Sequence, residues 1–293
     1  MLCHTLREVF AAPFFDGKQS FNRSRSETLS VLKLEKSGAV ATLTIDRPET
    51  RNSLGEEGDG DVFAALCGEI NADRGLRCAI LTGAGPAFSA GGNVKAMRAR
   101  AGTFAGPGVH IRERYRNGIH RIVRALWGIE IPLIAAVNGP AIGLGNDVAC
   151  LADMRIAADG AVFGATFLRI GLVPGDGGSW ILPRVIGMAR AAELVFTADT
   201  IDAQTALSWG LVSKVVAADA LMGEARALAE RVCRQPPDVL RLTKKLMREG
   251  MTTGFDTILE MSAAFQSLAH LTEDHGEAVA AFFEKRPPDF KGR

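Results

Sequence analysis

Asp147 follows directly on a glycine run in "AAVNGPAIGLGNDVACLADM", a segment otherwise made almost wholly of small and apolar residues. It comes three residues after Leu144, so it falls on the first turn of a helix that Leu144 opens. A carboxylate there has two uses. It complements the positive end of the helix dipole, or it serves as a general acid or base beside an oxygen that the Leu144 N–H polarises. Two turns share this character: "FSAGGN" (Phe88 to Asn93) and "NGPAIGLGND" each leave a strand and open a helix. The first amides of a helix have no partner within it and point outward, and glycine lets a ligand approach the backbone closely. Two such turns can aim two N–H groups at one oxygen, forming an oxyanion hole in which losing one donor costs roughly 2.7–4 kcal/mol. As plain strand-to-helix connections, the same glycines would serve only the turn. Neither turn is a GxGxxG or a P-loop, and "TGAGPAFSAGG" lacks the Gly-Lys-Ser/Thr ending. Nucleotide phosphate binding is therefore not expected.

The elements that hold these turns follow from pattern. "VLKLEKSGAVATLTIDRP" reads as two alternating strands joined at Ser37-Gly38. Val62, Leu66 and Ile70 recur every four residues, one stripe of a helix. "RCAILTGAG" and "IPLIAAVNG" read as buried strands running into glycine turns, "NVKAMRARA" and "LGNDVACLAD" as short helices, and residues 109–127 as a longer helix. "MRIAADGAVFG" is again strand and turn. Recurring strand–turn–helix units predict an α/β architecture. From about Asp219 to Glu284 only helical patterns remain, with apolar stripes through Leu240, Leu246, Leu259, Phe265 and Leu268. These need the α/β body or another subunit as a partner. The expected division is a loosely ordered extension over 1–28, a core over 29–217 and a helical subdomain over 218–293.

Bulk properties narrow the function. The chain has 293 residues, 47% of them hydrophobic, enough for a sizeable core. Lys and Arg number 34 against 33 Asp and Glu, and aromatics are 6%. That balance supplies neither a broad basic surface nor stacking platforms for nucleic acid. Five scattered cysteines with no CxxC pair fit a reduced, cytoplasmic protein. The longest apolar run, Ile129 to Val148, is interrupted by Glu130, Pro132, Asn138 and Pro140, so no membrane span is expected.

Five segments in register carry a resemblance. "IDRPETRNSLGEE", "FSAGGNVKAM", "IPLIAAVNGPAIGLGNDVACLADMRIAADGAVFG", the run from Gly171 to Val216, and "TEDHGEAVAAFFEKRPPDF" resemble the enoyl-CoA hydratase/isomerase (crotonase) family. The resemblance implies a spiral of ββα units with a C-terminal helical trimerisation region, assembled as homotrimers or homohexamers. It implies an acyl-CoA thioester substrate whose enolate oxygen is held by two backbone amides, here Gly92 and Leu144. Coenzyme A would be part of the substrate, with no metal and no separate cofactor. The residues around the two turns, Ser89, Ala90, Gly91, Asn93 and Gly143, would line the substrate site. Arg51 and Lys95 would meet CoA phosphates, as would Lys285 and Arg286, with Phe282 or Phe283 covering the adenine from a neighbouring subunit.

The family's hydratases use two glutamates, and here the pattern departs. The first falls at Asp147, one methylene shorter. The second falls at Phe167, since this chain reads "FGATFLRIG" where the family has "FGxPE". Phenylalanine moves no proton. Asp176, in "GLVPGDGGS", occupies a loop that approaches the acyl pocket in the family and is the candidate to replace the lost acid. Isomerisation, which needs one proton shuttle, suffers least from Phe167, and Asp147 is the acid or base expected to carry it. The alternatives are hydrolysis of a β-dicarbonyl substrate and a non-catalytic acyl-CoA-binding role. Glu113, His110 and His120 read as a solvated helix face, and Asp153 as structural.

Overall fold

The computed structural model describes residues 30–293, and the extension expected over residues 1–28 lies outside them. Strands β1 (Leu32–Ser37) and β2 (Val40–Ile45) form the expected hairpin. Ser37 pairs with Val40, so the turn is Gly38-Ala39, one residue later than the expected Ser37-Gly38. Four further strands, β3 (Cys78–Gly83), β4 (Leu133–Val137), β6 (Met154–Ala158) and β9 (Lys214–Val216), extend this into a six-stranded sheet. Its order is β1-β2-β3-β4-β6-β9, parallel everywhere except between β1 and β2. A smaller sheet joins β5 (Ala141–Ile142), β7 (Val162–Gly164) and β8 (Ile201–Asp202), in the order β5-β7-β8.

The central strands β3 and β4 are almost wholly apolar because both faces of the sheet are covered, and the buried Thr82 hydroxyl donates to the Ala136 carbonyl at 2.9 Å. Ala79, Leu81, Leu133, Ala135 and Val137 face the main core, where helices α1 (Asp59–Ala72), α4 (His120–Trp127) and α5 (Leu144–Leu151) pack. The alternate residues, Cys78, Ile80, Ile134, Ala136, Ile156 and Ala158, meet α9 (Leu221–Cys233) through Leu221, Ala225 and Ala229. Helix α1 is seated one residue round from the expected stripe. Phe63, Cys67 and Ile70 are buried, while Val62 and Leu66 stand at its rim.

The helix expected over 109–127 is continuous but not uniform. Helix α3 (Gly108–Arg114) runs into a π-helical turn, Tyr115–Ile119, before α4 begins. Helices α2 (Val94–Ala99), α6 (Gly178–Ile186), α7 (Met188–Thr197) and α8 (Ala203–Ser208) complete the α/β part. The tail follows as α10 (Pro237–Glu249), α11 (Phe255–His270) and α12 (Glu273–Glu284).

Asp153 is structural, as expected. Its carboxylate accepts from the Leu133 amide at 2.7 Å and pairs with Lys244 at 2.6 Å and Arg248 at 3.0 Å, tying α10 to the end of β4. Lys244 also donates to the Ile131 carbonyl at 2.7 Å. Burial drives its ammonium down to about 8, despite Asp153. Removing Asp153 would leave that buried lysine with one neutral acceptor, an expensive arrangement.

Candidate active site

The two glycine turns meet. Ser89 and Ala141 form a bridge in which Ile142 N donates to Ser89 O at 2.9 Å and Ser89 N to Pro140 O at 3.1 Å. Contact is so close that a Cβ at Gly91 would collide with the Ile142 carbonyl and reach the Leu144 amide at 3.2 Å. Only glycine permits this approach. The first turn is braced from below: Ala90 N donates to Arg51 O at 2.8 Å, and Leu54 N to Gly91 O at 2.9 Å. The buried Ser89 hydroxyl donates to Asn52 O at 2.7 Å. Asn93 caps α2, its side-chain oxygen accepting from Ala96 N at 3.1 Å. This is the capping expected where a neutral side chain replaces an acid.

Between the turns lies a narrow cleft of about 60 Å³. Its walls include Gly92, Leu144, Ile142, Tyr115, Phe167 and Asp176. Among the described residues, neither the Gly92 nor the Leu144 amide donates to another backbone oxygen. Both remain available to an acceptor in the cleft, Leu144 with the added field of the α5 N-terminus.

The two candidate carboxylates lie at different depths. Asp176 is on the cleft wall, 5% exposed, with one oxygen lacking a hydrogen-bond partner. Burial pushes its carboxyl up to about 7. Asp147 is 1% exposed, is not part of the cleft wall, and has neither oxygen in a hydrogen bond. Its carboxyl presses on the start of α6, so that a Cβ at Gly178 would overlap both oxygens. Burial raises Asp147 to about 8, with the Asp176 charge adding to it. The nearby Gly178 amide and Asn146 side chain offset part of that rise. Two buried acids thus lie close enough for one to feel the other's charge, one on the cleft wall and one off it, both raised toward neutral pH.

The structure therefore brings Gly92, Ala90, Gly143, Leu144, Phe167 and Asp176 onto one cleft. It places the other expected site residues elsewhere. Ser89 and Gly91 anchor the first turn to the chain beneath it, Asn93 caps α2, and Arg51 and Lys95 are exposed outside the cleft wall. Arg286 is engaged by Glu277 and Glu284, and the rings of Phe282 and Phe283 are exposed. Two residues escaped the sequence reading. Asn146 is fully buried with both amide atoms unpartnered, next to Asp147. Tyr115, within the helix expected over 109–127, is part of the cleft wall, and burial pushes its hydroxyl up to about 12. Its signal would have been its position as the chain's one tyrosine on that helix face.

Two touching glycine turns whose amides meet no backbone oxygen, with a buried acid on the cleft between them, are the kind of arrangement that can stabilise charge developing on an oxygen. A family model described as enoyl-CoA hydratase/isomerase matches residues 35–293. The chain is 36% identical over 254 residues to the 1,2-epoxyphenylacetyl-CoA isomerase of Escherichia coli K12, covering 87% of this chain and 95% of that one. It is 37% identical over 264 residues to the short-chain-enoyl-CoA hydratase of Clostridium acetobutylicum, covering 89% and 97%. The crystal structure of an enoyl-CoA hydratase from Bacillus anthracis superposes with a TM-score of 0.82 at 32% identity, covering 90% of this chain and all of that one. The chain belongs to the enoyl-CoA hydratase/isomerase family and has the crotonase fold. It is an acyl-CoA-processing enzyme of the hydratase/isomerase type.

Proposed function

We propose that this enzyme moves a double bond in an enoyl-CoA by way of a thioester enolate, with one carboxylate carrying the proton. The Gly92 and Leu144 amides hold the thioester oxygen as charge develops on it, and Asp176 takes a proton from one carbon and returns it to another. The observation that carries this is the placement of Asp176 on the same cleft wall as the two turns, with its carboxyl near 7. An acid tuned to the working pH can both accept and release a proton. Phe167 is an apolar wall beside Gly143, where a hydratase needs its second acid to place water. Asp147 is the buried neighbour that supports Asp176 from behind.

The proposed reaction needs no metal and no redox cofactor, and it runs in the cytoplasm. Calorimetry with acetoacetyl-CoA, an enolate-like ligand, is expected to show saturable binding that survives a chelator. A panel of enoyl-CoAs is expected to show double-bond migration outrunning hydration. Absence of binding at millimolar ligand would overturn the thioester reading, and hydration faster than migration would overturn the isomerase one.

A further inference from the structure

A second recess lies beside the cleft. Its volume is about 510 Å³, and it shares Tyr115 and Leu172 with the cleft. The next loop joins them as well, since Gly175 borders the recess and Asp176 the cleft. Neither glycine turn reaches the recess. The π-helical turn that starts at Tyr115 sets the dividing wall, a distortion that often marks a functional position. The Tyr115 ring meets His120 edge-on at 6.1 Å, and His120 Nε2 donates to the Gly175 carbonyl at 2.8 Å. The wall and the loop carrying Asp176 are thereby pinned together.

The far side of that wall is strongly basic. Arg112, Arg116 and Arg124 border the recess, and no carboxylate does. Arg112 and Arg116 share a single acid, Glu113, at 3.2 and 3.4 Å, from outside the recess. Arg124 makes one long contact, 3.4 Å to the Arg116 carbonyl, and has no acidic partner among the described residues. Neighbouring arginines differ: Arg121 pairs with Asp61, and Arg114 donates to the Thr103 and Ala105 carbonyls. Three guanidiniums against one shared carboxylate leave two positive charges uncompensated beside the cleft.

We propose that the acyl chain ends in an anionic group, a carboxylate, held by Arg112, Arg116 and Arg124 in this recess. The proposal rests on the thioester reading and adds the substrate's chemical class: an ω-carboxyl acyl-CoA. A methyl-ended chain gains nothing from guanidiniums, whereas a carboxylate matches their forked donors. The chain would pass between Tyr115 and Leu172, whose apolar surfaces suit methylenes. The competing occupant is a phosphate of CoA itself, and the test separates the two.

Saturated acyl-CoAs bind without reacting, so calorimetry with hexanoyl-CoA and octanoyl-CoA, each against its ω-carboxyl counterpart, reads recognition apart from catalysis. The carboxylated chain of the fitting length is expected to bind about tenfold more tightly, as a few half-exposed charged contacts would give. In the Arg112→Gln/Arg116→Gln/Arg124→Gln protein that ratio is expected to fall to about one. Should the triple variant not fold, Arg124→Gln alone, at an exposed position, is expected to reduce the ratio measurably. Equal affinity of the two chain types for the unaltered enzyme would overturn this proposal alone. So would a parallel loss of both in the variant, which would assign the arginines to CoA phosphate. Failure of every thioester to bind would overturn the thioester reading and this proposal with it.

Discussion

Asp147 and Asp176 differ in whether they reach the cleft, and the roles proposed for them follow from that difference. Both are aspartates near a helix start, and both are lifted well above the usual carboxylate range by burial. Only Asp176 borders the cleft. Asp176→Asn is expected to cut turnover by roughly 10²–10⁴-fold while leaving acyl-CoA affinity nearly unchanged, because the amide keeps the shape but moves no proton. Asp147→Asn is expected to cost about tenfold or less. A base must be ionised to accept a proton, so kcat/KM is expected to rise with pH through about 7, the value burial gives Asp176. Steady-state kinetics of both variants across pH 5–9 checks this. Collapse of the Asp147→Asn enzyme with full activity in Asp176→Asn would reverse the assignment.

At the scale of elements, the contact between α5 and α6 is what holds the two acids. Gly178 opens α6 directly against the Asp147 carboxyl, with no room for a methyl group. Gly178→Ala is therefore expected to push the helix off its seat, at a cost of roughly 1–3 kcal/mol from overpacking. It is also expected to lower turnover by shifting the Asp176 loop two residues away. The same substitution in an Asp147→Ala background has space for the new methyl, so the double variant is expected to recover much of that loss relative to its own parent. A double-mutant cycle by urea denaturation measures the coupling. Additive costs would show that the collision is relieved elsewhere. The sequence marked this site only by a glycine after "GD"; that the glycine faces Asp147 from a distant helix is a matter of packing.

For the whole molecule, the tail helices leave apolar surface without a partner in one chain. Helix α11 has no buried residue along its 16 positions. Leu259, Leu268, Phe282 and Phe283 are all exposed. Leu268 also borders a groove of about 690 Å³ between the tail and the body. We expect a trimer or hexamer in solution, with this surface covered by neighbouring copies, as measured by light scattering. Leu259→Glu/Leu268→Glu is expected to shift the population to smaller species and lower thermal stability. A monodisperse monomer of the unaltered chain would contradict the assembly. Among the described residues no helix is long and apolar enough to cross a membrane.

Local chemistry made much of this protein legible in its sequence. Strand patterns, glycine turns and the helical tail follow from periodicity and from which residues tolerate a tight backbone, and those interactions lie within a few positions along the chain. The two turns could be named before their contact was known. Phe167 could be read as a lost proton carrier because side-chain identity alone forbids the chemistry. What tertiary structure decided was proximity and depth. It brought Gly91 against Ile142, set Asp176 on the cleft wall and Asp147 off it, and placed three arginines from one helix beside Leu172 and Gly175 of a distant loop. A carboxyl's affinity for its proton depends on how much water surrounds it, and no stretch of sequence states how much water the folded chain will exclude.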